Sequence, residues 1–63
     1  MEVELAESVA ENLEDRDEVV SAEAEPEGDH MIVVCTVAND RDRRSLKRDL
    51  DQYPLYVKLE VDV

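Results

Sequence analysis

The chain of 63 residues has no phenylalanine and no tryptophan, and it has one cysteine, one histidine, one glycine and two prolines. Each scarcity closes a route. Cys35 is alone, so no disulfide can form within the chain, and with His30 it cannot supply the four ligands of a structural zinc site. Gly28 by itself cannot build a glycine-rich phosphate loop. Tyr53 and Tyr56 are the whole aromatic complement, so no cluster of rings is available to stack nucleobases. No stretch is long and apolar enough to span a membrane. The start, Met1–Glu2–Val3–Glu4, is acidic where a signal peptide is basic, and the expected location is the cytoplasm. A chain this short buries only about 60% of the surface its unfolded form exposes. Without a disulfide or metal, its remaining aids to stability are self-association and a stabilising solvent.

What the chain does have is charge, unevenly spread. Residues 1–29 hold 12 acids and one base, Arg16, and so carry the entire formal charge of −11. Residues 30–63 hold 6 acids and 6 bases, with Arg41, Arg43, Arg44, Lys47 and Arg48 crowded into eight positions. A charged fraction of 40% would suit a disordered chain. Here, however, Val, Leu and Ile recur in helical and strand periods, which predicts a folded domain.

Arginine outnumbers lysine five to two, and the apolar residues lean to Val and Ala. This composition resembles that of haloarchaeal proteins, whose carboxylates stay hydrated at molar salt. The resemblance implies an acidic, halophilic cytoplasmic protein. The physics agrees: excess carboxylates on a small body repel one another. The screening length falls from about 8 Å at 0.15 M salt to about 3 Å at 1 M, so concentrated salt relieves the repulsion.

Leu5, Val9 and Leu13, joined by Ala6 and Ala10, recur at helical spacing opposite Glu4, Glu7, Glu11, Glu14 and Glu18, which predicts an amphipathic helix over about residues 2–15. Glu14 and Asp15 oppose the dipole at its far end. Val19–Glu25 alternates, with Val20, Ala22 and Ala24 on one side. Pro26–Glu27–Gly28–Asp29 has turn chemistry. His30–Ala38 is apolar on both faces, as suits a central strand. Asn39 or Asp40 can cap a second helix with Leu46, Leu50 and Tyr53 on its core stripe, ended by Pro54. Leu55–Val63 then alternates strictly, with Leu55, Val57, Leu59, Val61 and Val63 on one side and Tyr56, Lys58, Glu60 and Asp62 on the other.

The predicted order is α-β-β-α-β in one domain, residues 1–63. The expected fold is α+β: a two-layer sandwich with both helices on one face of a three-stranded mixed sheet. A crossover between the second and third strands makes them parallel and favours the order 1-2-3, with 2-1-3 as the alternative. This element order resembles that of BON-type and KH-like small domains. The G-x-x-G that KH domains carry between helices is absent.

The open face of the sheet would carry a central apolar strip, either Ile32, Val34 and Thr36 or Met31, Val33, Cys35 and Val37, with Tyr56 beside it. Ile32, Val34 and Tyr56 are the candidate partner-binding residues of that face. On the second helix Arg41, Arg44 and Arg48 line one side, a candidate anion-binding face for an acidic protein patch or a phosphate backbone. The competing reading is a solvated face laced by local pairs, Asp40 with Arg44, and Arg44 and Arg48 with Asp51. Docking of the same face on the glutamate stripe of a second copy is a further reading. Net charge −11 opposes nucleic acid at long range.

Nothing points to catalysis. Cys35 and His30 are five apart on one strand and so face opposite ways. Asp40-x-Asp42…Asp51 has the length of a calcium loop, but Ser45 stands where that loop needs glycine, Arg44 fills a ligand position, and Asp closes it instead of Glu. The expectation is a protein with no catalytic residues, no metal and no cofactor. It would bind itself or another protein, with nucleic acid as the alternative and no membrane.

Overall fold

The computed structural model describes residues 3–62. Its elements are α1 (Val3–Glu14), β1 (Val19–Glu27), β2 (His30–Val37), α2 (Asp40–Lys47), a 3₁₀ turn (Asp49–Gln52) and β3 (Val57–Val61). The three strands form one sheet in the order β1-β2-β3, with β1 antiparallel and β3 parallel to β2. The expected α-β-β-α-β sandwich and the 1-2-3 order are therefore what the chain adopts. The predicted helix start at Glu2 and strand end at Val63 lie outside the described residues.

The first helix buries Ala6, Val9, Ala10 and Leu13. Leu5, placed on the core stripe by its spacing, is 36% exposed. The buried line runs instead through two alanines, and β1 meets it with Ala22 and Ala24. Small side chains thus face each other across this contact, and Leu5 lies at its margin. No basic residue occupies the last turn of α1, and the helix stops at Glu14.

Gly28 has φ +64°, the one positive φ among the described residues, and the link it forms with Asp29 is only two residues long. Positive φ at the first turn position and not the second is the sign pattern of a type II′ hairpin turn, which glycine adopts without steric cost. The strand accordingly extends through Pro26 to Glu27, two residues past the predicted Glu25. Pro26 is tolerated because β1 is an edge strand.

A bulge between Val19 and Ser21 adds one residue to β1. It corrects one expectation: Val20, predicted to face inward with Ala22 and Ala24, is 55% exposed. Val19 packs against the core in its stead, because the extra residue shifts the side-chain alternation by one.

Asn39 caps α2, its side-chain oxygen accepting the Asp42 backbone N–H at 2.9 Å. The predicted single helix reaching Tyr53 is instead an eight-residue α-helix followed by the 3₁₀ turn. Leu46 is the one buried residue of α2; Leu50 and Tyr53 pack half-buried against the same core. Met31, Val33, Cys35 and Val37 face the helices, joined by Val57 from β3. The even-numbered residues of β2 thus take the other face.

Candidate functional site

Because both helices cover one side of the sheet, no element among the described residues lies over the other. The strand register arranges that open side in three columns. Ser21, Glu23 and Glu25 of β1 lie beside Thr36, Val34 and Ile32 of β2, and beyond them Glu60 and Lys58 of β3 lie beside Thr36 and Val34. Tyr56 follows next to Ile32, its carbonyl accepting the Val33 N–H at 3.1 Å. The register therefore sets Ile32 and Val34 on this surface with the backbone of Tyr56 beside Ile32. Tyr56 itself precedes β3, which starts at Val57 and not at the predicted Leu55, and it also lines a groove on the inner side with Leu50, Tyr53 and Leu55. Tyr56 is 64% exposed, whereas Ile32 is 3% exposed and sits low between the side chains of its flanking strands. The result is an apolar column walled by carboxylates on one side and by a Lys58–Glu60 ion pair at 3.5 Å on the other.

The predicted cations lie elsewhere. Arg41 and Arg44 project from α2 and Arg48 from its C-terminal cap, all exposed, on the helix layer and so on the far side of the sheet from Ile32 and Val34. The two predicted patches cannot contact one small ligand together. Arg44 Nε binds Asp40 Oδ2 at 3.0 Å, as the local-pair reading anticipated. Arg43 reaches Oδ1 of the same carboxylate, with Nη2 at 2.7 Å and Nε at 2.9 Å. Hydrogen bonding from Arg43 holds the Asp40 carboxyl below its ordinary range, helped by the charge of Arg44. The anticipated pairs of Arg44 and Arg48 with Asp51 are not formed. They need a continuous α-helix, and the chain tightens into the 3₁₀ turn after Lys47. Among the described residues no ion pair engages Arg41, Lys47 or Arg48.

Arg16 was legible in the sequence only as the lone base of the acidic half. Its Nη1 donates to Asp49 Oδ2 at 2.8 Å and lies 3.5 Å from Glu18 Oε1, tying the α1–β1 link to the 3₁₀ turn. The hydrogen bond to Asp49 raises the Arg16 pKa, with Tyr53 and Glu18 adding to it. A contact spanning 33 residues leaves no local signal.

A second feature escaped sequence reading. The 3₁₀ turn and α2 only partly roof the inner face of β3, leaving a groove of about 490 Å³. Leu50, Tyr53, Leu55 and Leu59 line it, with Lys47 and Asp51 among its polar residues. The strict alternation of Leu55–Val61 was its signal: an apolar strand face longer than the short helix above it.

Cys35 is fully buried, and burial raises its thiol pKa, so it stays protonated inside the core. His30 lies on the opposite, exposed side of β2, 3.7 Å from Asp29. No three His, Cys, Asp or Glu side chains converge on one point among the described residues. No helix there is long and apolar enough to cross a membrane.

Comparison with known proteins finds no matching family model, no matching curated protein and no matching solved structure.

Proposed function

We propose that this chain is a non-enzymatic interaction module that associates with itself or docks a protein partner. The observation that supports this reading is the sheet face that no helix among the described residues covers, where Ile32 and Val34 lie side by side with the backbone of Tyr56 next to Ile32. An apolar column rimmed by charge is the usual anatomy of a recognition surface. The acidic excess gives the module its setting, a cytoplasm of high salt in which the net charge of −11 is screened. The test is light scattering at 2 M KCl on the wild-type chain and on Val34→Glu. An associating species, or a defined partner whose binding is lost on Val34→Glu, supports the reading. A strict monomer, with no defined partner whose binding depends on Val34 or Tyr56, refutes it.

A second reading is nucleic-acid binding through α2. It draws on Arg41 and Arg48, which make no ion pair among the described residues, whereas Arg44 is already engaged by Asp40. Fluorescence anisotropy with single-stranded RNA at 0.15 M salt decides it. Binding that drops on Arg41→Glu and Arg48→Glu, and weakens steeply with salt, would place this reading first.

A further inference from the structure

The two edges of the sheet differ in a way that bears on which surface joins copies of the chain. On β1, the open-face residues from position 21 onward are Ser21, Glu23, Glu25 and Glu27. The strand also holds Pro26 and the bulge at Val19–Ser21. A second β1 laid against it would set glutamate against glutamate, and proline and bulge both interrupt a ladder. These are the devices by which proteins keep an edge from pairing. The β3 edge, five residues of Val-Lys-Leu-Glu-Val, has neither proline nor bulge, and its two exposed charges, Lys58 and Glu60, are of opposite sign.

The β3 ladder shows which of its backbone groups are spent. Tyr56 C=O accepts the Val33 N–H at 3.1 Å, and the Asp62 N–H donates to Val37 C=O at 2.8 Å. In a parallel pair the groups of alternate residues point to the same neighbour, so positions 56, 58, 60 and 62 bond to β2. The N–H and C=O of Val57, Leu59 and Val61 therefore point outward along the free edge.

Building on the self-associating reading above, we infer that two copies pair antiparallel along β3, about a two-fold axis at Leu59, into a continuous six-stranded sheet. Only outward-pointing residues can form the hydrogen-bonded pairs. With Leu59 opposite Leu59 of the second copy, Val57 opposes Val61, and all three exchange backbone hydrogen bonds. On the open face this register sets Lys58 against Glu60 of the second copy, and Glu60 against its Lys58. Moving the axis one residue either way places Lys58 against Lys58 or Glu60 against Glu60. The strand is thus self-complementary in charge in the one register that also centres its free backbone groups. On the inner face, the half-buried Leu59 and Val61 gain apolar neighbours from the second copy, and the two grooves beside Leu50 and Tyr53 flank the axis.

Sedimentation equilibrium at 0.5 M KCl tests the pairing, where net repulsion is largely screened and adjacent charges still interact. The wild-type chain, 7.2 kDa, is expected at twice that mass. Lys58→Glu alone and Glu60→Lys alone set like charges opposite each other and weaken the dimer about tenfold or more. The double exchange Lys58→Glu with Glu60→Lys, which preserves net charge, restores it. So does an equimolar mixture of the two single variants, a result that misfolding of either cannot produce. Leu59→Pro, which removes an outward N–H without touching the β2 ladder, also leaves a monomer, while Val34→Glu leaves the dimer intact. A dimer lost on Val34→Glu and indifferent to the charge exchanges overturns the edge pairing but keeps association through the open face. A monomeric wild type from 0.5 to 2 M KCl overturns self-association by either surface.

Discussion

Replacing Leu46 and, separately, Leu5 by alanine asks whether tertiary position or helical spacing governs what each leucine is worth. Both fall on the apolar stripe of a helix in the sequence. In the fold Leu46 is 1% exposed and is the only buried residue of α2, whereas Leu5 is 36% exposed at the margin of α1. Truncating Leu46 removes its transfer free energy and leaves a cavity between α2 and the sheet, and such changes cost about 2–5 kcal/mol. Truncating Leu5 opens no sealed cavity, because solvent fills the space. The loss is confined to the covered part of the side chain, about 1 kcal/mol. A chain of 63 residues has a net stability of about 3–9 kcal/mol. Leu46→Ala therefore removes a large share of it, and Leu5→Ala a small one. Urea unfolding followed by far-ultraviolet circular dichroism, in 2 M KCl and at one protein concentration, measures both. The concentration is held because association with the native state would raise apparent stability. With a urea slope of about 1 kcal/mol/M for so small a protein, Leu46→Ala lowers the midpoint by about 2 M or more. A Leu5→Ala cost equal to that of Leu46→Ala, or a Leu46→Ala cost below about 1 kcal/mol, would refute the reasoning.

Other expectations follow from the polar contacts and the charge. A double-mutant cycle on Arg16→Gln and Asp49→Asn should give a coupling of about 0.2–1 kcal/mol, since solvent reaches both side chains; zero coupling in low salt would remove the tie between the α1–β1 link and the 3₁₀ turn. The carboxyl of Asp40 is more acidic folded than unfolded, so its contribution is present above the unfolded pKa and is lost as pH falls through the folded one. Asp40→Asn should therefore flatten part of the acid limb of a pH-stability curve and leave its shape near neutrality unchanged; an acid limb identical to wild type would contradict this. The melting temperature of the wild-type chain should climb between 0.1 and 2 M KCl as the carboxylate repulsion is screened, and a flat profile would show that the acidic half does not limit stability.

Much of the architecture was legible because local chemistry and periodicity agreed. The alternation of Leu55–Val61, a capping side chain at Asn39 or Asp40 and the single glycine at a turn each mark one element boundary or type. The facing of β2 was harder, since His30–Ala38 is apolar in both of its alternating sets. It was nevertheless recoverable. Cross-strand partners share a side, so any turn with an even number of residues sets Ile32 and Val34 level with the glutamates of β1. Glu23 and Glu25 demand water, which leaves Met31, Val33, Cys35 and Val37 for the helices. The bulge at Val20 carried no such mark. Neither did the break after Lys47, nor the reach of Arg16 to Asp49, because these are settled by contacts between distant segments.

The sequence by itself determined the α-β-β-α-β order, the concentration of acid in the first half and the inability to build a disulfide or a zinc centre. These follow from periods of two and 3.6 residues, from turn and cap chemistry, and from counting. Tertiary structure alone decided that Leu5 is peripheral, that the second helix breaks after Lys47, and that a groove opens beside β3. Each of those depends on how two short helices share one face of a three-stranded sheet. Such packing is set by the fit of side chains from separate segments, and no stretch of chain encodes it alone.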